Sequence, residues 1–371
     1  TNMNVNEVIS NRAIEILGGK KGDKTLIHPN DDVNMGQSTN DVFPTAIHIA
    51  VSSEVKNNLL PSLNKLHSSL NSKSIEFQNI IKSGRTHFQD AVPITLGQEF
   101  NGYTMMIKKS IKRIEKSLPD LNELPIGGTA TGTGLNAHPQ LSKKIINTVN
   151  SKTGLTFKIA ESRFESMQGK DACVALSSNL KILAGSLMRF SNDIRLLSSG
   201  PNTGIGEIEI PETQPGSSIM PGKVNPIILE STNLVAAQVI GNDHSINIAN
   251  QLGELELNMG MPLIAHNLLQ SIGLLVNAIN NLVEKCINGL KAKSDICINY
   301  AESSPSIITA IAPIIGYDKA AQVAKAVVEK RKSVREILIE YKLVPPDQID
   351  KILNLKKMTK GGILKFEESK D

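Results

Sequence analysis

Long stretches of this chain repeat apolar residues every three or four positions. In the clearest, Leu96, Phe100, Tyr103, Ile107, Ile111, Ile114 and Leu118 are spaced 4, 3, 4, 4, 3 and 4 apart, and the run stops at Pro119. That spacing keeps every apolar side chain on one face of a helix, with Lys108, Lys109, Lys112 and Arg113 left to solvated faces. A second stripe runs from Phe43 to Leu70 through Ile47, Ala50, Val51, Val55, Leu59, Leu63 and Leu66, with a bend expected near Pro61. A third covers 166–198, where Leu176, Leu180, Leu183, Leu187, Phe190, Ile194 and Leu197 alternate spacings of 4 and 3. Residues 227–250 and 262–290 predict two more long helices. No run alternates apolar and polar residues as a half-buried strand would. Five or so long helices joined by loops predict an elongated all-α bundle.

The ends differ from this frame. Residues 1–40 are polar and Asn-rich and read as turns, with Asn40 or Asp41 capping a helix that carries Pro44 in its first turn. From about Ala292 the periodic pieces shorten to 318–330 and 333–341, broken at Gly316, Pro345, Pro346 and Gly361-Gly362. This predicts a small C-terminal helical domain with a loose tail.

Composition narrows the function. The 371 residues carry a net charge of +4, no Trp and 3% aromatics, which argues against a polyanionic partner and against stacking platforms for single-stranded nucleic acid. No apolar run approaches the roughly 20 residues needed to cross a bilayer, so a soluble globular protein is expected. Cys173, Cys286 and Cys297 are too scattered for a zinc cluster or a disulfide framework and read as buried thiols in a reducing compartment. The chain opens at Thr1 without an initiator Met or signal-like segment, so its natural N-terminus is expected to lie upstream.

Chemistry concentrates in three polar loops, 28–41, 83–90 and 214–226. The third contains Gly216-Ser217-Ser218-Ile219-Met220-Pro221-Gly222-Lys223-Val224-Asn225-Pro226, where Pro and Gly exclude a regular helix. Ser217 offers a hydroxyl for proton transfer, Lys223 a cation for an anion, and Asn225 an amide that donates and accepts. A serine hydroxyl is a poor base unless its alkoxide is stabilised, and only Lys223 and the backbone N–H groups of the turn are at hand to do so. The second loop supplies Thr86 and His87; the first supplies His28, Asn30, Asp31, Ser38, Thr39 and Asn40. Glu230 follows the third loop and suits either a helix first turn or the orientation of a histidine. Gly127–Gly134 lacks the Gly-Lys-Ser/Thr ending of a phosphate loop, so its glycines are expected to serve close packing against a helix. In a long bundle the three loops would lie apart, so a shared site requires folding back or oligomerisation.

The third loop resembles the Ser-Ser-x-Met-Pro-x-Lys-x-Asn signature of the fumarase/aspartase superfamily, and the other two loops resemble its other two motif regions in the right order. The resemblance runs from Asn2-Met3-Asn4-Val5-Asn6-Glu7 to Gly316-Tyr317-Asp318-Lys319-Ala320-Ala321 and beyond. Arg85-Thr86-His87, Pro221-Gly222-Lys223, His28 before Pro29-Asn30-Asp31, and Ile47-His48-Ile49-Ala50 resemble the iron-independent (class II) fumarate hydratases. Leu282–Gly289 and Ser333-Val334-Arg335-Glu336 read more like aspartases.

The resemblance implies the fumarase-type all-α fold, as a homotetramer around a core of helices from four subunits, each site drawing loops from three chains. It implies a remnant N-terminal domain over 1–38, a central long-helix domain over 39–291 and a small C-terminal domain over 292–371. A Ser-Gly-Thr substrate-contacting segment of the family would precede Thr1. The implied activity is reversible hydration of fumarate to (S)-malate, a step of the tricarboxylic acid cycle, without metal or organic cofactor. Ser217, His87 and Glu230 would be catalytic; Ser38, Thr39, Asn40, Thr86, Lys223 and Asn225 would bind substrate; His28, Asn30 and Asp31 would form a peripheral dicarboxylate site. The expected compartment is the cytoplasm, with the mitochondrial matrix as the alternative. The rival activities are aspartate ammonia-lyase and a non-catalytic scaffold role, and no nucleic acid or membrane partner is expected.

Overall fold

The computed structural model describes residues 2–362; the loose tail expected at the C-terminus lies, from residue 363, outside them. In chain order the main elements are α1 (Asn2–Ile16), α2 (Thr39–Glu54), α3 (Leu60–Glu76), β1 (Ile81–Thr86), β2 (Gln89–Thr95), α4 (Leu96–Leu121), α5 (Leu141–Thr153), α6 (Arg163–Gln168), α7 (Asp171–Leu197), α8 (Ile227–Asn250), α9 (Met261–Leu282) and α10 (Ser294–Ser303). Shorter helices follow, including Tyr317–Lys330 and Val334–Glu340. The fold is all-α in class. The chain divides into two compact units: one from its start to Lys65 with Ile107–Arg189 and Glu230–Asn280, the other of Leu66–Met106, Phe190–Leu229 and the residues from Asn281 on.

The long stripes are buried as their spacing predicts. Leu96, Phe100, Ile107 and Ile114 on α4 and Leu176, Leu180, Leu183, Leu187 and Ile194 on α7 are almost wholly inaccessible. Two boundaries lie a few residues from where proline alone would set them. Helix α4 runs past Pro119 to Leu121, because a proline in the last turn forfeits only its own N–H bond while the turn closes through Asn122 N–H to the Leu118 carbonyl at 3.0 Å. Between α2 and α3 the chain makes a π-helical turn over Val55–Leu59. The break thus precedes Pro61, whose missing N–H leaves the carbonyl four residues earlier without its helical partner. The cap of α2 is Ser38, not Asn40 or Asp41. Its extended backbone lets Oγ accept from Asn40 N–H while Asp41 returns its carboxylate to Ser38 N–H, a reciprocal box, and Pro44 falls one turn later than expected.

The helix expected over 166–198 is broken at Gly169-Lys170 into α6 and α7, and α1, α5 and α10 were not expected. α1 is rich in Asn and Glu with only scattered apolar positions, and α5 is short and basic, so neither shows a long stripe. α5 ends where Gly154 takes a left-handed backbone, φ 67°. It packs Ile146 into a small core of the first unit with Leu124, Ile126 and Phe157. One membrane expectation is corrected as well: Met261–Ile287 is long and apolar enough to cross a bilayer by length and composition. Its face through Ile264, Leu268, Ile272, Leu275 and Ile279 is fully buried, and Asn267 and Ser271 on the same helix receive Asn242 from α8. That is the environment of a core helix.

The second unit carries the one substantial hairpin among the described residues, β1 antiparallel to β2. The expected loop 83–90 is its tip and flanks. A register shift between Ser83 and Arg85 destroys the period-two pattern that would have revealed β1. The remaining strands described are two-residue pairs. Nearby, Phe77, Phe100, Tyr103 and Phe190 stack edge to face at centroid distances of 5.1–5.7 Å. Tyr103 closes that row by donating to Asp193 at 3.0 Å. Further along, Ile307, Ile308, Val323, Val327, Val334, Ile337 and Leu338 form the core of the C-terminal helices. The three cysteines are buried and unpaired, with burial raising each thiol to about 12.

Candidate active site

In the first unit, Ser38, Thr39 and Asn40 occupy the start of α2, and the glycine-rich segment is built against them. Asn40 Nδ2 donates to the Ala130 carbonyl at 2.8 Å. Asp41, fully buried, accepts from Gly127 N–H at 2.8 Å and Thr129 N–H at 3.1 Å. Its second oxygen accepts from Ser38 N–H at 3.0 Å. Burial pushes the Asp41 carboxyl up from its ordinary value, against these hydrogen bonds, which lower it. The glycines serve packing, as expected: a Cβ on Gly128 would meet Met167 Sδ at 2.6 Å, and one on Gly132, φ +113°, would meet the Phe164 ring at 2.7 Å. Asp41 was missed as a supporting residue, although its spacing from Ser38 is that of a capping box.

The same unit holds the expected peripheral residues. His28 caps the π-helical turn Pro29–Val33, and its Nδ1 accepts from Asn30 N–H and Asp31 N–H, each at 3.2 Å. An accepting Nδ1 places the neutral proton on Nε2. The Asp31 carboxylate lies 3.5 Å from Nδ1 and is mostly exposed. Glu230 also belongs to this unit, in the first turn of α8.

In the second unit, Thr86 pairs with Gln89 across a two-residue turn made of His87 and Phe88. Both turn residues are left-handed, φ 53° and 58°, the geometry that hairpin turns usually give to Asn-Gly. Thr86, His87 and Phe88 are exposed, Phe88 at 78%. The third loop is closed by its own backbone: Ser217 N–H donates to the Lys223 carbonyl at 2.8 Å and Lys223 N–H to the Met220 carbonyl at 3.2 Å. Gly216 must be glycine for this closure, since a Cβ would sit 2.7 Å from the Lys223 carbonyl. Within the turn Ser217 Oγ accepts from Ile219 N–H at 3.3 Å and Met220 N–H at 3.1 Å. Two donors on one hydroxyl oxygen favour its alkoxide. Lys223 Nζ donates to Asn225 Oδ1 at 3.0 Å, so cation and amide are already adjacent. The local fold thus groups Ser217, Lys223 and Asn225; among the described residues no hydrogen bond joins them to Thr86 or His87.

Among the described residues no group of three or more His, Cys, Asp or Glu side chains is arranged to hold a metal ion. A cleft of about 470 Å³ in the second unit, lined by Gln78, Asn79, Gln98, Asn101 and Lys356 among others, includes none of the expected site residues.

Comparison with known proteins supplies the context. A family model described as Lyase matches residues 1–241, and one described as Fumarase C C-terminus matches 307–360. The chain is 48% identical over 358 residues to the mitochondrial fumarate hydratase of Homo sapiens, an alignment covering 96% of this chain and 70% of that one. It is 48% identical to the class II fumarate hydratase of Helicobacter pylori, covering 96% and 77%. Among solved structures, recombinant class II fumarase from Schistosoma mansoni superimposes with a TM-score of 0.93 at 40% identity, covering 96% of this chain and 78% of that one. With the signature loop, the capped Ser38-Thr39-Asn40 segment and the Thr86-His87 turn all on one all-α frame, the chain belongs to the class II fumarate hydratase family of lyases.

Proposed function

We propose that this chain is a hydro-lyase that interconverts fumarate and (S)-malate. The observation that carries the chemistry is the pair of backbone N–H groups aimed at Ser217 Oγ, in a loop where Lys223 already touches Asn225. In the dehydration direction Ser217 removes a proton from the carbon beside a carboxylate. The electron pair left behind spreads into that carboxylate as an aci-form. Lys223 and Asn225 bind this group, and their interactions strengthen as its charge grows, which is where catalytic gain arises. His87, oriented by Glu230, gives a proton to the departing hydroxyl, which leaves as water. Ser38, Thr39, Asn40 and Thr86 hold the substrate carboxylates with hydroxyl and amide groups. His28, Asn30 and Asp31 form a peripheral site for the same class of dicarboxylate.

In this proposal the protein is a homotetramer, with each site assembled from three chains. Helix α8 supports it: Leu229, Ala236, Val239, Ile246 and Ala249 are buried, yet Leu234, Ile240 and Ile248 are 74%, 37% and 49% exposed. A helix apolar on both faces suits a core completed by other copies. The proposal keeps the division into 1–38, 39–291 and 292–371, with the cytoplasm or the mitochondrial matrix as compartment. The deciding assay incubates the purified protein separately with (S)-malate and with L-aspartate and follows fumarate by its ultraviolet absorbance. Fumarate from malate is expected; fumarate from aspartate alone would assign the ammonia-lyase activity, and fumarate from neither would point to a substrate-contacting segment upstream of Thr1 or to the scaffold reading.

A further inference from the structure

We propose that Glu207 is a positioning residue for the hydration reaction, acting on the Thr86-His87 turn through Arg85 and Lys82; this rests on the reading of Thr86 and His87 as site residues. The turn asks for an outside constraint. His87 and Phe88 both carry a Cβ in the left-handed region, where each costs on the order of 1 kcal/mol or more. Phe88 does not select this geometry by itself, so the strands must impose it.

The strands are anchored by a buried ionic hub. Glu207 is fully buried and Lys82 is 2% exposed. Arg85 grips Glu207 with two parallel hydrogen bonds, Nη1 to Oε2 and Nη2 to Oε1, both 3.0 Å. Lys82 Nζ lies 3.1 Å from Glu207 Oε2 and 2.8 Å from Glu99 Oε2, so two cations face two carboxylates. Positions 82 and 85 are an odd number of residues apart and would point to opposite faces of a regular strand. The register shift between Ser83 and Arg85 returns both to one carboxylate. Gly84 makes that shift sterically possible, since a Cβ there would meet the Val92 carbonyl at 2.7 Å.

Glu207 itself cannot drift. Its carbonyl accepts from Lys293 N–H at 2.9 Å and from Cys297 Sγ at 3.5 Å. Tyr300, on the same helix α10, lies under the Arg85 guanidinium at 5.6 Å. Arg85 is therefore held on its face and at its edge, and its peptide neighbour is Thr86. Buried ion networks add little net stability over apolar packing; in this one, contacts of 2.8–3.1 Å between two cations and two carboxylates specify one geometry. Here the geometry specified is that of the turn.

The test compares Glu207→Gln and Arg85→Lys, each alone and combined with Phe88→Gly, by kcat, KM and thermal melting. Arg85→Lys keeps the charge and removes the two-point grip together with the flat face over Tyr300, so it serves if Glu207→Gln does not fold. Each single variant is expected to lose about tenfold or more in kcat. Phe88→Gly lets the turn choose its own geometry, so in that background the same substitutions should cost threefold or less. A merely structural hub would not be rescued by a change at the turn. Equal losses in both backgrounds, or folded single variants within twofold of the parent kcat, would overturn the proposal. His87→Asn is run alongside: if it stays active, the reading of the site fails; if it is inactive while the hub variants are normal, only the positioning role fails.

Discussion

Asn40 reaches across 90 residues of sequence to the carbonyl of Ala130. The segment expected to bind substrate is thus held by a loop with no chemistry of its own. Asp41 ties the same two segments together through Gly127 and Thr129 N–H. Asp41→Asn would keep one accepting oxygen but turn an NH2 group toward Ser38 N–H, costing about 1–3 kcal/mol for an unsatisfied buried donor. Gly132→Ala meets the Phe164 ring from a left-handed backbone and should cost about as much. Both variants should melt at lower temperature and lose turnover together, since the mechanism is mechanical. A normal melt with lost turnover would instead place these residues in the chemistry.

Ser217→Ala should lower kcat by orders of magnitude without changing the melting temperature, because Ser217 lies in an exposed loop and its two N–H donors can turn to water. Gly216→Ala should act in the same direction more mildly, by opening the turn that brings the Lys223 carbonyl onto Ser217 N–H. His87→Asn should cripple turnover, while His28→Asn should leave it nearly intact. Steady-state rates with (S)-malate decide all four, and near-normal turnover of Ser217→Ala would remove Ser217 from the role of base.

His48 sets a pH dependence of stability. It is buried, with Nδ1 2.9 Å from the Glu123 carbonyl. Burial first, and the nearby Lys170 charge second, lower its value to about 4. A native value below the unfolded one means that the unfolded chain binds the proton first. The stability contributed by neutral His48 is therefore present above about pH 6.5 and is lost as pH falls from there toward 4. It amounts to about 3 kcal/mol. Denaturant melts at pH 7 and pH 5 should show about 2 kcal/mol of this loss in the parent protein and a clear reduction of it in His48→Gln. An equal loss in both would assign the pH dependence to other groups.

Much of the fold was legible in the sequence, for physical reasons. Helices with a sustained stripe, such as α4 and α7, announced themselves because each buries one face along its whole length. α1 buries a regular row of every fourth residue, but its members are Asn2, Asn6, Ser10 and Ile14, and α5 buries only Ser142 and Ile146, so no apolar stripe formed. The hairpin was hidden by its own register shift, which serves Arg85 and Lys82 and not the pattern. The polar loops of the candidate site stood out because Gly, Pro, Ser and Asn cluster where helices cannot continue. Glu207 did not, because one of three glutamates in a Gly/Pro-rich segment, beside Glu209 and Glu212, gives no sign that it will meet Arg85, 122 positions away. Long-range ionic partners leave no local periodicity to read.

The π-helical turn at Val55–Leu59 has a consequence for how the chain tolerates changes of length. Ile47, Val51, Val55 and Leu59 are all buried although each is four residues from the last. In an unbroken α-helix that spacing would swing the stripe by about 40° at every step. The wider turn absorbs the swing locally, so the next buried positions, Leu63 and Leu66, resume on the proper face. A single residue deleted within 55–59 can be taken up by tightening this turn, whereas one deleted from the middle of α7 would re-face everything beyond it. The turn is the place in this helix where the chain can lose one residue while Leu63, Leu66 and Leu70 stay buried.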